Sequence, residues 1–136
     1  MVEGLIVGVD HIGIAVQNLE EALEIFEKKL GLKLEGVHEI KEQRVKAAML
    51  LAGETRIELL EPIGQEGPVA RFLEKRGEGF HHIAFKVKNI EGLLAQLKER
   101  GIILVDEKPR VGVKGAKIAF LHPKSTKNVL VELCEE

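Results

Sequence analysis

Apolar and polar positions alternate with a period of two over residues 5–16. Ile12, Ile14 and Val16 fall on one side and Val9, His11, Gly13 and Ala15 on the other, which is the pattern of a strand. Asn18 then offers an N-cap with Glu21 three residues on, and Leu19, Ala22, Leu23, Phe26 and Leu30 take up helical spacing until Gly31 stops it. This helix is expected to cover Ile12, Ile14 and Val16, leaving the His11 face to line something else. Residues 32–35 read as a strand and residues 37–51 as extended chain. Gly53-Glu54 reads as a turn, and residues 55–60 as a further strand closed by Glu61-Pro62. Strands that follow one another without intervening helices give βαβββ, an α+β order, not a doubly wound sheet.

The same pattern then returns. Phe80-His81-His82-Ile83-Ala84-Phe85-Lys86-Val87 overlays Val9-Asp10-His11-Ile12-Gly13-Ile14-Ala15-Val16 at an offset of 71, with His82 on His11 and Val87 on Val16. At that offset Asn18 meets Asn89, Glu20 meets Glu91 and Leu23 meets Leu94; after a gap of one residue, Gly31 meets Gly101. Each half closes on a matching strand, Arg56-Ile57-Glu58-Leu59-Leu60 and Leu130-Val131-Glu132-Leu133-Cys134. In the second half a helix through Ile90, Leu93, Leu94 and Leu97 is followed by a predicted strand over 102–105, a break at Lys108-Pro109-Arg110, and strands over 117–121 and 129–134. Gly64-Gln65-Glu66-Gly67-Pro68 is the expected linker, leading into a short helix through Val69, Phe72 and Leu73. The expected organisation is a first βαβββ module over 1–63, a linker with a short helix over 64–79, and a second βαβββ module over 80–136. A module of that length buries too little core alone, so the two should form one domain.

A net charge of −2, with basic residues interleaved among acidic ones, gives no general attraction to nucleic acid or to lipid headgroups. With 45% hydrophobic and 31% charged residues, the composition is that of a soluble globular protein. No apolar run approaches the ~20 residues that span a bilayer, and no secretory signal pattern opens the chain, so no membrane association and a cytoplasmic location are expected. Cys134 is the single cysteine, which rules out an intrachain disulfide and suits a small buried thiol.

The repeat directs attention to His11, Glu58, His82 and Glu132. A lone strand histidine is more often a hydrogen-bonded structural group than a ligand, and a lone strand glutamate more often faces water. Glu58 and Glu132, however, sit between apolar neighbours, where an inward carboxylate needs a cationic answer. The duplication makes the four positions equivalent in pairs. Two imidazoles and two carboxylates, without thiolate, suit an octahedral divalent ion, with cobalt foremost and manganese, nickel, iron or zinc as alternatives; two positions stay open for water or substrate. The remaining histidines carry less. His81 has the opposite strand parity to His82 and reads as structural or as a neighbour behind the ligands; His38 reads as a surface residue; His122, in a loop, lies where it could touch substrate. Lys114, Lys117, Lys124 and Lys127 gather near the last turn, either as a solvated rim or as contacts to phosphates of a large anionic substrate.

With these residues in place, the chain resembles the vicinal oxygen chelate, or glyoxalase, superfamily, and within it the methylmalonyl-CoA epimerase family. The matching segments are Asp10-His11-Ile12-Gly13-Ile14-Ala15-Val16, Glu42-Gln43-Arg44-Val45, Ile57-Glu58-Leu59-Leu60-Glu61-Pro62, Gly79-Phe80-His81-His82-Ile83-Ala84, Phe120-Leu121-His122-Pro123-Lys124 and Val129-Leu130-Val131-Glu132-Leu133. The resemblance implies a cupped, mostly antiparallel sheet built from the two modules and metal ligands His11, Glu58, His82 and Glu132. It implies a homodimer, and interconversion of the 2R and 2S forms of the small-molecule substrate methylmalonyl-CoA, a step of propionate metabolism. Glu132 matches a glutamate that serves as both ligand and acid/base. The chemistry expected is proton removal at C2 through a metal-stabilised enolate. A second glutamate of some relatives falls on Ala47 here, so a metal-bound water is the expected second proton carrier. A glyoxalase I-like lyase and a metal-free small-molecule-binding protein of the same fold are the alternatives.

Overall fold

A computed structural model describes residues 5–112 and 115–135. Its elements follow the βαβββ order twice. They are β1 (Ile6–Ala15), α1 (Leu19–Leu23), β2 (Lys33–Ile40), β3 (Val45–Ala52), β4 (Thr55–Pro62), α2 (Pro68–Arg76), β5 (Gly79–Val87), α3 (Ile90–Glu99), β6 (Arg110–Val111), β7 (Lys117–Leu121) and β8 (Val131–Glu135). The chain groups into two compact units, His11–His81 in one, and Met1–Asp10 with His82–Glu136 in the other. Strand β1 therefore gives its second half to one unit and its first half to the other.

In the His11–His81 unit the strands run in the order β2-β3-β4-β1. β1 is parallel to β4, and the other two pairings are antiparallel. Alternation along each strand sorts the side chains onto two faces. Val16, Ala48, Leu50 and Leu59, with Ile14 beside them, pack under Leu19 and Ala22 of α1, so the helix covers the expected face. On the other face Ala15, Val45, Ala47 and Leu60 pack against Val69 and Leu73 of α2. The helix predicted there through Val69, Phe72 and Leu73 is thus present.

The first helix departs from its even spacing. After Leu23 it relaxes into a π-helical stretch, Glu24–Lys29, whose i to i+5 bond from Leu30 N–H to Ile25 C=O is 2.9 Å long. The extra residue per turn rotates the apolar stripe, and Leu30 ends 63% exposed instead of in the core.

In the unit of Met1–Asp10 and His82–Glu136 the order is β1-β5-β8-β7-β6. β5 is parallel to β8, and the β8–β7 and β7–β6 pairings are antiparallel. Val87, Ala119, Leu121, Val131 and Leu133 pack beneath Ile90, Leu93 and Leu94 of α3. Gly101 takes a φ of +88° just past that helix, as Gly31 does at +82° in the first half, a conformation that favours glycine. The strand expected over 102–105 is reduced to a single bridge between Leu104 and Leu121, and the edge strand forms instead at Arg110 and Val111, beyond Pro109. Proline has no N–H to donate, so the ladder starts after it. Among the described residues no helix is long and apolar enough to cross a membrane.

Candidate metal centre

The repeat at offset 71 survives as a repeat of register. Gly13 lies opposite Glu58 in the β1–β4 ladder, and Ala84, which matches Gly13, lies opposite Glu132 in the β5–β8 ladder. Each histidine stands two residues before that partner, on the same face. The result is one imidazole diagonal to one carboxylate in each half. His11 Nε2 is 3.6 Å from Glu58 Oε1, and His82 Nε2 is 3.5 Å from Glu132 Oε1.

His11, His82 and Glu132 are 7–8% exposed, and the side chain of Glu58 is 12% exposed. Both separations exceed the 2.7–3.2 Å of a well-formed N–H···O bond. They are close to the distance of about 3–3.5 Å between two atoms that each lie about 2.1 Å from a common ion. His11, His82 and Glu132 each offer one ligand atom of a kind that can hold a metal ion. The donor set, imidazole nitrogen and carboxylate oxygen turned inward on an apolar scaffold, fits a divalent cation.

The surroundings of each pair differ. Beside Glu132, Phe120 is its direct cross-strand partner, and its ring meets His82 edge-on with centroids 6.5 Å apart. Beside Glu58, Met49 is the cross-strand partner, and Arg56, two residues away on the same face, is held by Glu35 at 2.8 Å. Ala47 shares the Glu58 face, opposite Leu60, and is only 4% exposed. No proton carrier stands at that position.

The other three histidines stand in different settings. His81 meets the ring of Phe72 edge-on at 5.1 Å, and burial holds its imidazole below the ordinary value of 6.5. His38 is exposed. His122 Nδ1 accepts the N–H of Lys124 at 3.0 Å and so caps the short turn Pro123–Ser125. Of the lysines, Lys117 is engaged by Glu91 at 3.0 Å, and Lys114 lies outside the described residues.

Two carboxylates went unread in the sequence. Glu61 Oε1 accepts the N–H of Leu19 at 2.6 Å, and Glu135 Oε1 accepts the N–H of Ile90 at 2.7 Å, so the strand that carries each candidate ligand also caps the helix of its half. The signal was available, because Glu61 and Glu135 stand three residues after Glu58 and Glu132. The asparagine caps are repeated as predicted, Asn18 accepting from Glu21 N–H at 2.9 Å and Asn89 from Gly92 N–H at 3.2 Å.

Comparison with known proteins identifies the family and the fold. Residues 10–120 match the family described as the Glyoxalase/Bleomycin resistance protein/Dioxygenase superfamily. A Bacillus subtilis protein described as the uncharacterized protein YqjC is 44% identical over 93% of this chain and 90% of its own length. The mitochondrial methylmalonyl-CoA epimerase of Homo sapiens is 37% identical over 91% of this chain and 71% of its own length. The crystal structure of methylmalonyl-CoA epimerase from Mycobacterium tuberculosis superposes with a TM-score of 0.91 at 34% identity, covering 99% of this chain and 91% of that one.

Proposed function

The chain belongs to the glyoxalase/bleomycin resistance protein/dioxygenase superfamily, and from that premise we propose that it is an isomerase that epimerises methylmalonyl-CoA at C2 with the help of a divalent metal. The observation that carries this reading is the pair of equivalent His–Glu placements, His11 with Glu58 and His82 with Glu132. These four residues would hold the ion, which we take to be cobalt first and manganese, nickel, zinc or iron otherwise. When bound, the ion would supply Lewis acidity toward the two oxygens that flank C2 of the substrate.

The protein's own residues do the rest. C2 lies between a thioester and a carboxylate, so its proton is acidic enough for a carboxylate base. Glu132 is the group to which we assign proton removal and return, because it is buried on a strand whose register places it beside His82. Ala84 and Phe120 are its cross-strand partners, and at 7% exposure its carboxylate has little contact with bulk water. Inversion needs delivery to the opposite face, and with Ala47 at the only other position that the family resemblance marks, a water molecule held at the metal site would be the second carrier. The reading includes a homodimer, which rests on the resemblance, and a cytoplasmic location, which rests on the sequence pattern.

Deuterium incorporation at C2 of methylmalonyl-CoA in heavy water, followed by NMR, tests the assignment. Exchange should require added metal and should fall by about 100-fold or more in Glu132→Gln, within the range for loss of a general acid/base. Unchanged exchange in that variant rejects the role of Glu132.

A further inference from the structure

We propose that Arg110 binds an anionic oxygen of the substrate on the Glu132 face of the sheet, held in position by Phe120 and Asp106. The proposal rests on the acyl-CoA thioester reading above. Register places the residue. Arg110 lies opposite Ile118, Ile118 opposite Cys134, and Phe120 opposite Glu132. Cross-strand partners share a face, as do residues two apart on a strand, so Arg110, Phe120 and Glu132 all project from one side. The other side, with Ala119, Leu121, Val131 and Leu133, is taken by α3.

The guanidinium is held in place. Its Cζ lies 5.3 Å from the centroid of the Phe120 ring, and its Nη2 is 3.2 Å from Asp106 Oδ2. Asp106 Oδ2 also accepts the N–H of Phe120 at 2.9 Å, so one carboxylate ties both the cation and the strand beneath it. Phe120 in turn meets His82 edge-on. The Phe120 ring is thus the neighbour that the cation and His82 have in common.

The side chain of Arg110 is still 53% exposed, and a guanidinium has five N–H donors in a planar fork, of which Asp106 engages one edge. The remaining donors match carboxylate or phosphate oxygens, which the fork can take in a bidentate manner. There is also an electrostatic reason for a cation here. A negatively charged thioester that approaches Glu132 meets like charge, and a fixed cation on the same face offsets it. The anionic oxygen could belong to the acyl carboxylate or to the phosphates of the CoA portion, and the two are separable.

The experiment compares wild type, Arg110→Met and Arg110→Lys on methylmalonyl-CoA and on methylmalonyl-pantetheine, which lacks the phosphates, by calorimetric binding and by C2 exchange. Arg110→Met should weaken binding and raise KM about tenfold while kcat stays within about twofold, and Arg110→Lys should recover part of the loss through its charge. Loss with both thioesters assigns the oxygen to the carboxylate, and loss with the CoA thioester alone assigns it to phosphate. Equal binding by wild type and Arg110→Met overturns the proposal, as does a fall in kcat together with a lowered melting temperature, which marks a structural role. If wild type binds methylmalonyl-CoA without exchanging C2, the epimerase reading fails while the binding data still judge Arg110. If wild type binds neither thioester, both fall.

Discussion

The N–H of Ile90 is bound by Glu135 at 2.7 Å, so the first turn of α3 is fastened to the end of the strand that carries Glu132. Leu19 and Glu61 stand in the same relation at 2.6 Å. A carboxylate at a helix N-terminus satisfies a donor that the helix cannot, and meets the positive end of its dipole. Glu135→Ala and Glu61→Ala should each lower unfolding free energy by about 1 kcal/mol, read from urea midpoints at neutral pH. No shift in either midpoint would mean that water serves those N–H groups equally well.

Addition of cobalt to metal-depleted protein should raise the thermal midpoint in a concentration-dependent way, because an ion held by the native side chains alone stabilises the native state by mass action. His11→Ala and His82→Ala should each weaken metal binding by about 100-fold or more, since loss of groups that only support a ligand already costs up to that factor. Isothermal titration with the metal alone checks this without any substrate. Affinity that survives His11→Ala would remove the first half of the repeat from the ligand set.

Ala47→Glu should destabilise the protein by about 2–4 kcal/mol in urea at pH 7. The position is 4% exposed among Val45, Leu60, Val69 and Leu73, where a carboxylate loses its hydration. A variant as stable as wild type would show instead that position 47 opens onto water and can host a proton carrier.

The hydrogen bond from Lys117 holds the Glu91 carboxyl below its ordinary value of 4.5, and the same bond raises Lys117 above 10.5. A carboxyl with a depressed value contributes stability that is present above 4.5 and is lost as the pH falls through its folded value. For the raised lysine, stability is present below 10.5 and lost as the pH climbs through its folded value. NMR titration should find Glu91 low in wild type and returned upward in Lys117→Met. Both groups are exposed, so the neutral-pH stability of that variant should match wild type closely.

Much of the architecture could be read before any coordinates, because the repeat ties residues far apart in sequence to the same structural role. Once His82 overlays His11 and Glu132 overlays Glu58, whatever relation the first imidazole has to its carboxylate should recur in the second pair, and it does, at 3.6 and 3.5 Å. The caps at Asn18 and Asn89 followed for the same reason. What stayed hidden depends on registers that periodicity does not encode. Arg110 sits in a two-residue strand beside a proline, too short to leave a pattern, and its place beside Phe120 follows only from pairing with Ile118. The π-helical stretch after Leu23 was equally silent, since Leu30 keeps helical spacing in the sequence and loses it only through one widened turn.

Strand β1 belongs to both compact units, with residues up to Asp10 grouped with His82–Glu136. The whole of the other unit, His11–His81, lies in sequence between that stretch and its companions. Loop-closure entropy makes such distant pairings slow to form. Contacts within the His11–His81 unit are closer in sequence, so the joining of the Ile6–Asp10 stretch of β1 to the strands that follow His82 is expected to be a late, slow step of folding.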